Sequence, residues 1–199
     1  HGNGFIHKNN LKKIQCNEYQ ILFFGRILEY KGLPYLIKAE PLISAEIPDL
    51  KICIAGDGAL MKEYENLILD RSRFEIHNKY IDQELMEELF QSSSLVVLPY
   101  REASQSGIIS IAYAYARPVV ATSVGALPEL IEHKRTGWIV PPDDVNELAQ
   151  GIITLLKSKK LREELGKNAF DKAKNEMSWD NIANQTQKLY QSLITEKLK

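Results

Sequence analysis

The stretch from Leu98 to Thr122 constrains the chain more than any other. Val96, Val97 and Leu98 close an apolar, β-branched run of the kind that forms a strand buried on both faces. Pro99 stops it. Ser104, Gln105, Ser106 and Gly107 then open an uncharged run, Ile108 to Ala116, rich in Ala and Ile, which reads as a buried helix. Arg117 and Pro118 end that helix, and Val119, Val120 and Ala121 read as the next strand. Strand, small-residue loop, helix and strand make one βαβ unit. The first turn of such a helix carries free backbone N–H groups and a partial positive charge, a natural seat for phosphate.

The rest of the chain repeats this alternation. Residues 1–18 are polar and irregular and read as a linker. Strands are expected at Ile21–Phe24, Lys51–Ala55, Phe74–Ile76, Leu95–Leu98, Val119–Thr122 and Trp138–Val140. Helices are expected from Leu33 to Ser44, with Pro41 kinking or ending it, from Ala59 to Leu69, and from Gln83 to Gln91 behind an Asp82 cap. Further helices are expected from Gly125 to His133, from the Asp143–Asp144 stop to Leu156, and from Lys160 to Asn175. A last helix is expected after Ser178, with Trp179, Ile182, Leu189, Tyr190 and Leu193 as its apolar stripe. The organisation is a linker, a domain over residues 19–177 and a C-terminal helix over 178–199. Strands alternating with helices, most strands lacking polar alternation, give an α/β fold: a Rossmann-like parallel sheet with helices on both faces. Ligands of such sheets bind beyond the carboxyl ends of the strands. Gly25–Arg26, Gly56–Gly58, Ala103–Gly107 and Gly125 all fall at strand ends.

Acidic and basic residues nearly balance, 26 against 25, so no polybasic face for nucleic acid is expected. No run is long enough for a membrane span and no signal peptide is visible. Cys16 and Cys53 have neither metal-ligand spacing nor the density of a disulfide scaffold, and Cys53, between Ile52 and Ile54, reads as a buried reduced thiol. A reducing, cytoplasmic setting follows. The histidines, His1, His7, His77 and His133, are scattered, so no metal site is expected.

Arg26 and Lys31 flank the loop after the first strand, five positions apart. They are either a pair of solvated surface charges or a diphosphate clamp, Arg by a bidentate fork and Lys as a point charge. Gly56-Asp57-Gly58 lacks the third glycine of a dinucleotide fingerprint, so nicotinamide binding is poorly supported. Ser104, Gln105, Ser106 and Gly107 are ordinary helix-capping residues that equally suit an anion. Glu102, Glu129 and Asp57 are carboxylates near the rim, better suited to capping or surface pairing than to acid–base work.

Taken together and in order, these motifs resemble the carboxyl-terminal, donor-binding domain of the family 4 GT-B glycosyltransferases. The pieces are Phe24–Gly32, Ile54–Gly58, Leu95–Tyr100, Arg117–Thr122, Gly125–Glu129 and Thr136–Val140. The resemblance spans roughly residues 20–195, and His1-Gly2 looks like the passage from a preceding amino-terminal, acceptor-binding domain. It implies a nucleotide-sugar substrate, retention at the anomeric carbon, no cofactor and no bound metal. It assigns neutralisation of the leaving diphosphate to Arg26 and Lys31, donor contacts to Gly25, Gly56, Ser104, Gln105, Ser106 and Gly107, and the nucleotide base to backbone near Tyr80 and Ile81. Any peripheral membrane association would run through the absent half. The sequence departs from the family in one respect: the two glutamates it usually carries eight positions apart fall on Ala103 and Ile111. The expected function is sugar transfer from a nucleotide-sugar to a glycan or lipid-linked acceptor in surface polysaccharide synthesis, the isolated half being inactive. The alternatives are a non-catalytic interaction domain of the same fold and a sugar-nucleotide epimerase, for which no acid–base carboxylate pair is evident.

Overall fold

The computed structural model describes residues 14–197. The expected hinge segment at His1-Gly2 lies outside them. Strands β1 (Gln20–Phe24), β2 (Lys51–Ala55), β3 (Phe74–His77), β4 (Leu95–Leu98), β5 (Val119–Thr122) and β6 (Gly137–Val140) form one sheet in the order β3-β2-β1-β4-β5-β6. Every pairing is parallel. The order reverses between β1 and β4, which creates a crevice at their carboxyl ends.

Alternate residues of the strands feed two cores. Ile21, Phe23, Ile52, Ile54, Val97 and Val120 face helices α1 (Leu33–Glu46) and α6 (Val145–Lys157). Leu22, Cys53, Val96, Leu98, Val119 and Ala121 face α3 (Gln83–Ser92), α4 (Gly107–Ala114) and α7 (Lys159–Glu176). Both faces are covered, which is why the strands read as continuous apolar runs. The end of the predicted linker is tied to this body: Asn17 N–H donates to Ser92 O at 2.8 Å, and Glu18 pairs with Lys159 at 2.7 Å.

Several elements differ from expectation. Helix α1 continues through Pro41 to Glu46. Ala39, Glu40 and Ile43 around the proline are buried, and that packing outweighs the lost hydrogen bond. The helix expected over 59–69 is reduced to α2 (Met61–Tyr64) and a 3-10 turn, Glu65–Leu67. Met61 and Tyr64 reach the core but Leu67 does not, so nothing holds a longer helix in place. The helix expected over 125–133 shrinks to α5 (Leu127–Leu130), because Gly125 is left-handed and His133 bridges to Gly137. Helix α4 stops at Ala114, and Ala116 turns left-handed before Pro118. The last helix, α8 (Trp179–Lys197), forms, but its stripe is not core: Trp179, Leu189, Tyr190 and Leu193 are each more than half exposed.

Candidate functional site

The crevice is built from turns pressed against one another. Gly25 N–H donates to Ala55 O at 2.8 Å, and Gly56 N–H to His77 O at 3.0 Å, so the turns after β1 and β2 continue the sheet as adjacent layers. Gly56 has φ +146, and a Cβ there would stand 2.1 Å from Gly25 O. Only glycine permits this approach. Gly58 N–H is taken by the Asn78 side chain at 3.0 Å. On the other side, Arg101 N–H donates to Tyr30 O at 2.7 Å, so the loop that carries Lys31 lies against the loop after β4.

That arrangement aims Lys31. Its ammonium lies 2.7 Å from where a Gly25 Cβ would be, and Ile108 Cδ1, in the first turn of α4, lies 3.9 Å from the same point. The ammonium also sits over the Tyr100 ring, 5.5 Å from its centroid. The Tyr100 hydroxyl is 3.4 Å from Ser106 Oγ. Ser106 is the N-cap of α4, yet its side chain makes no capping bond, and nothing stands within 4 Å of a Cβ built on Gly107. The helix therefore presents free N–H groups beside a half-buried ammonium. Arg26 is exposed on the same loop. Among the described residues no carboxylate pairs with Arg26 or Lys31.

Burial, and then the charge of Arg26, lowers the Lys31 pKa from the ordinary lysine value. The folded chain thus binds this proton less well than the unfolded one. Stability from this group rises with pH across the window between the depressed pKa and the ordinary one. Titration of Lys31 Nζ by heteronuclear NMR should show a pKa below the ordinary lysine value, and Arg26→Gln should move it upward. An unchanged Lys31 titration in that variant would separate the two charges.

The other expected residues are less gathered. Ser104 and Gln105 are exposed, whereas Ser106 is buried. Tyr80 is 85% exposed and Ile81 half-buried, in the segment after the outer strand β3, and no described contact joins them to Lys31. Ala103 turns its carbonyl onto Gly125, and Ile111 packs on the second core. Tyr100, which supports Lys31 and touches the N-cap, is not among the site residues expected from the sequence. Nor does the sequence single out a pocket of about 200 Å³ at the α4 start, lined by Gln105, Ser106, Ser110, Glu129, Met177 and Ile182. Tyr100, one residue beyond the Pro99 that stops an apolar strand, is the available signal for the first; the pocket joins distant segments and has none. A further grouping escaped linear spacing: Cys53, Glu75 and His77, on adjacent strands, bring their donor atoms within 4.8 Å of one another.

A doubly covered parallel sheet with a cationic, glycine-lined crevice at its switch point defines a Rossmann-like α/β domain. The chain belongs to the family described as glycosyl transferases group 1, whose model matches residues 18–158. It is 34% identical over 180 residues to an uncharacterized glycosyltransferase of Methanocaldococcus jannaschii, covering 89% of this chain and 46% of that one. It is similar to the solved C-terminal domain of a glycosyl transferase group 1 family protein from Francisella tularensis, with 26% identity and a TM-score of 0.72 over 84% of this chain and 89% of that one. The fold also matches Anabaena HepE, solved in complex with UDP-glucose, with 23% identity and a TM-score of 0.78 over 88% of this chain and 49% of that one. The chain spans about half the length of the curated relatives it matches. No helix among the described residues is long and apolar enough to cross a membrane.

Proposed function

We propose that this chain is the donor-binding half of a retaining glycosyltransferase whose transfer step is metal-independent. It transfers sugar from a nucleotide-sugar to a glycan or lipid-linked acceptor in surface polysaccharide synthesis, and a second, amino-terminal domain binds the acceptor. One observation carries the reading: the Lys31 ammonium stands beside Gly25, against the open first turn of α4. A diphosphate placed there meets Lys31, the backbone N–H groups near Ser106 and Gly107, and Arg26 at the mouth.

The chemistry follows from charge. As the anomeric C–O bond breaks, negative charge gathers on the departing diphosphate. Fixed cations and amides stabilise that charge more than the ground state, at about 3 kcal/mol per well-placed donor. Lys31 is suited to this because it is held on Tyr100 and has no carboxylate partner to leave. The fold match to a protein solved with UDP-glucose agrees with a uridine nucleotide as the first donor to try. Ala103 and Ile111 favour a second reading, a family member whose donor site has been lost, because neither side chain accepts a hydrogen bond from a sugar.

Calorimetric titration of the chain with UDP-, GDP- and ADP-sugars separates the two. One of them should bind weakly, without transfer, and Arg26→Ala and Lys31→Ala should each weaken it about tenfold, near 1.4 kcal/mol. Full affinity in the double variant would defeat the assignment. Absence of nucleotide binding in a protein carrying both domains would favour the second reading.

A further inference from the structure

Strands β2 and β3 pair with Cys53 beside Glu75 and Ala55 beside His77. Paired residues, and residues two apart along a strand, share a face of the sheet. Cys53, Glu75 and His77 therefore project to one side, the face that carries the second core. Their donor atoms lie within 4.8 Å of one another, and Glu75 Oε1 is 2.6 Å from His77 Nε2. Cys53 is fully buried, whereas the Glu75 side chain is 55% exposed and that of His77 is 21% exposed. The thiol closes the inner side, and the two other groups have room to rotate at the solvent side.

We propose that Cys53, Glu75 and His77 form a zinc site with three protein ligands and an open fourth position. Thiolate, imidazole and carboxylate are the ligand types zinc takes, at about 2.0–2.3 Å, and a tetrahedral ion at such distances holds its ligands roughly 3.5 Å apart. The three donor atoms already lie within 4.8 Å of one another, and the ion would part Glu75 from His77. Hard oxygen-seeking cations such as magnesium do not suit a buried sulfur. Without an ion, burial and the Glu75 charge keep the thiol protonated. Binding breaks the S–H bond, forms an S–Zn bond and releases the proton to solvent. The ion would clip β2 to the edge strand directly behind the crevice, since His77 O accepts the Gly56 N–H and Asn78 accepts that of Gly58. The proposal is independent of the donor site.

The chain, prepared without a polyhistidine tag and stripped of metal, should take up one equivalent of zinc in competition with a chromophoric chelator. Cobalt in its place should give a thiolate-to-cobalt charge-transfer band. Cys53→Ser should abolish the band, and Glu75→Gln and His77→Ala should each weaken zinc binding at least about tenfold. Cys16→Ser should change neither. The proposal is overturned by the absence of stoichiometric binding, or by a band that survives Cys53→Ser and disappears in Cys16→Ser. His77 lies at the surface, so unaltered zinc affinity in a folded His77→Ala variant overturns it even if Cys53→Ser does not fold.

Discussion

Gly125→Ala should lower the stability of the chain by about 2–4 kcal/mol and distort the approach to α4. Gly125 has φ +51, and a Cβ there would lie 1.4 Å from the carbonyl oxygen of Ala103. The left-handed backbone alone costs a non-glycine residue roughly 1 kcal/mol. The clash is the larger effect, because the opposing atom is main chain and cannot rotate away. Either the turn after β5 or the loop that carries Ser104 to Gly107 must shift. That loop sets Ser106 against Tyr100, so donor affinity should fall even where the variant is fully folded. Urea unfolding gives the stability and calorimetry under native conditions the affinity. Gly107→Ala is the stability control: open space surrounds its missing Cβ, and alanine suits a first helical turn, so its change should stay within about 0.5 kcal/mol. A loss under 1 kcal/mol in Gly125→Ala would mean that the turn and the loop are not held together as described.

Arg73→Ala should cost about 3 kcal/mol, far more than a surface cation normally would. Its guanidinium stands 3.3 Å from Glu40 Oε1, and the Glu40 side chain is only 3% exposed, set in α1 between core residues Ala39 and Ile43. Removing the arginine leaves a buried carboxylate with no counter-charge. The pair itself is a weaker stabiliser than that figure suggests, because desolvation offsets its attraction. Glu40→Leu together with Arg73→Ala should therefore recover most of the loss, a coupling that a double-mutant cycle measures. Arg73 also reaches Asp70 at 3.1 Å and Pro48 O at 2.5 Å, so recovery should stop short of wild type. Additive losses in the cycle would show that Glu40 and Arg73 act separately.

Most of the strands and the long helices were legible because their signals are local. Lys51–Ala55 appears at its expected bounds because an apolar β-branched run between polar ends admits few other structures. The Asp82 cap was legible because a carboxylate one residue before a helix has a defined partner, and its side chain accepts the Leu85 N–H; at the Asp143–Asp144 stop it is Asp144 that caps, accepting from Asn146 and Glu147 N–H. Pro41 misled the reading of α1, since a local rule cannot weigh the burial of Ala39 and Ile43 around it. The stripe on α8 misled it in the opposite sense. Helical spacing shows that a face is apolar, not that anything in the described chain covers it.

By itself the sequence determined the alternation of strands and helices, hence a parallel sheet buried on both faces. It also determined which residues end at the carboxyl rim, because periodicity and turn residues act over a few neighbours. Only the tertiary structure decided that β1 lies beside β4, and so that Lys31 stands with Gly25 and Tyr100 at the opening of α4. It likewise decided that Cys53 meets Glu75 and His77 across two strands. Both groupings depend on strand order and register, which are selected by the packing of the whole sheet rather than by any one segment.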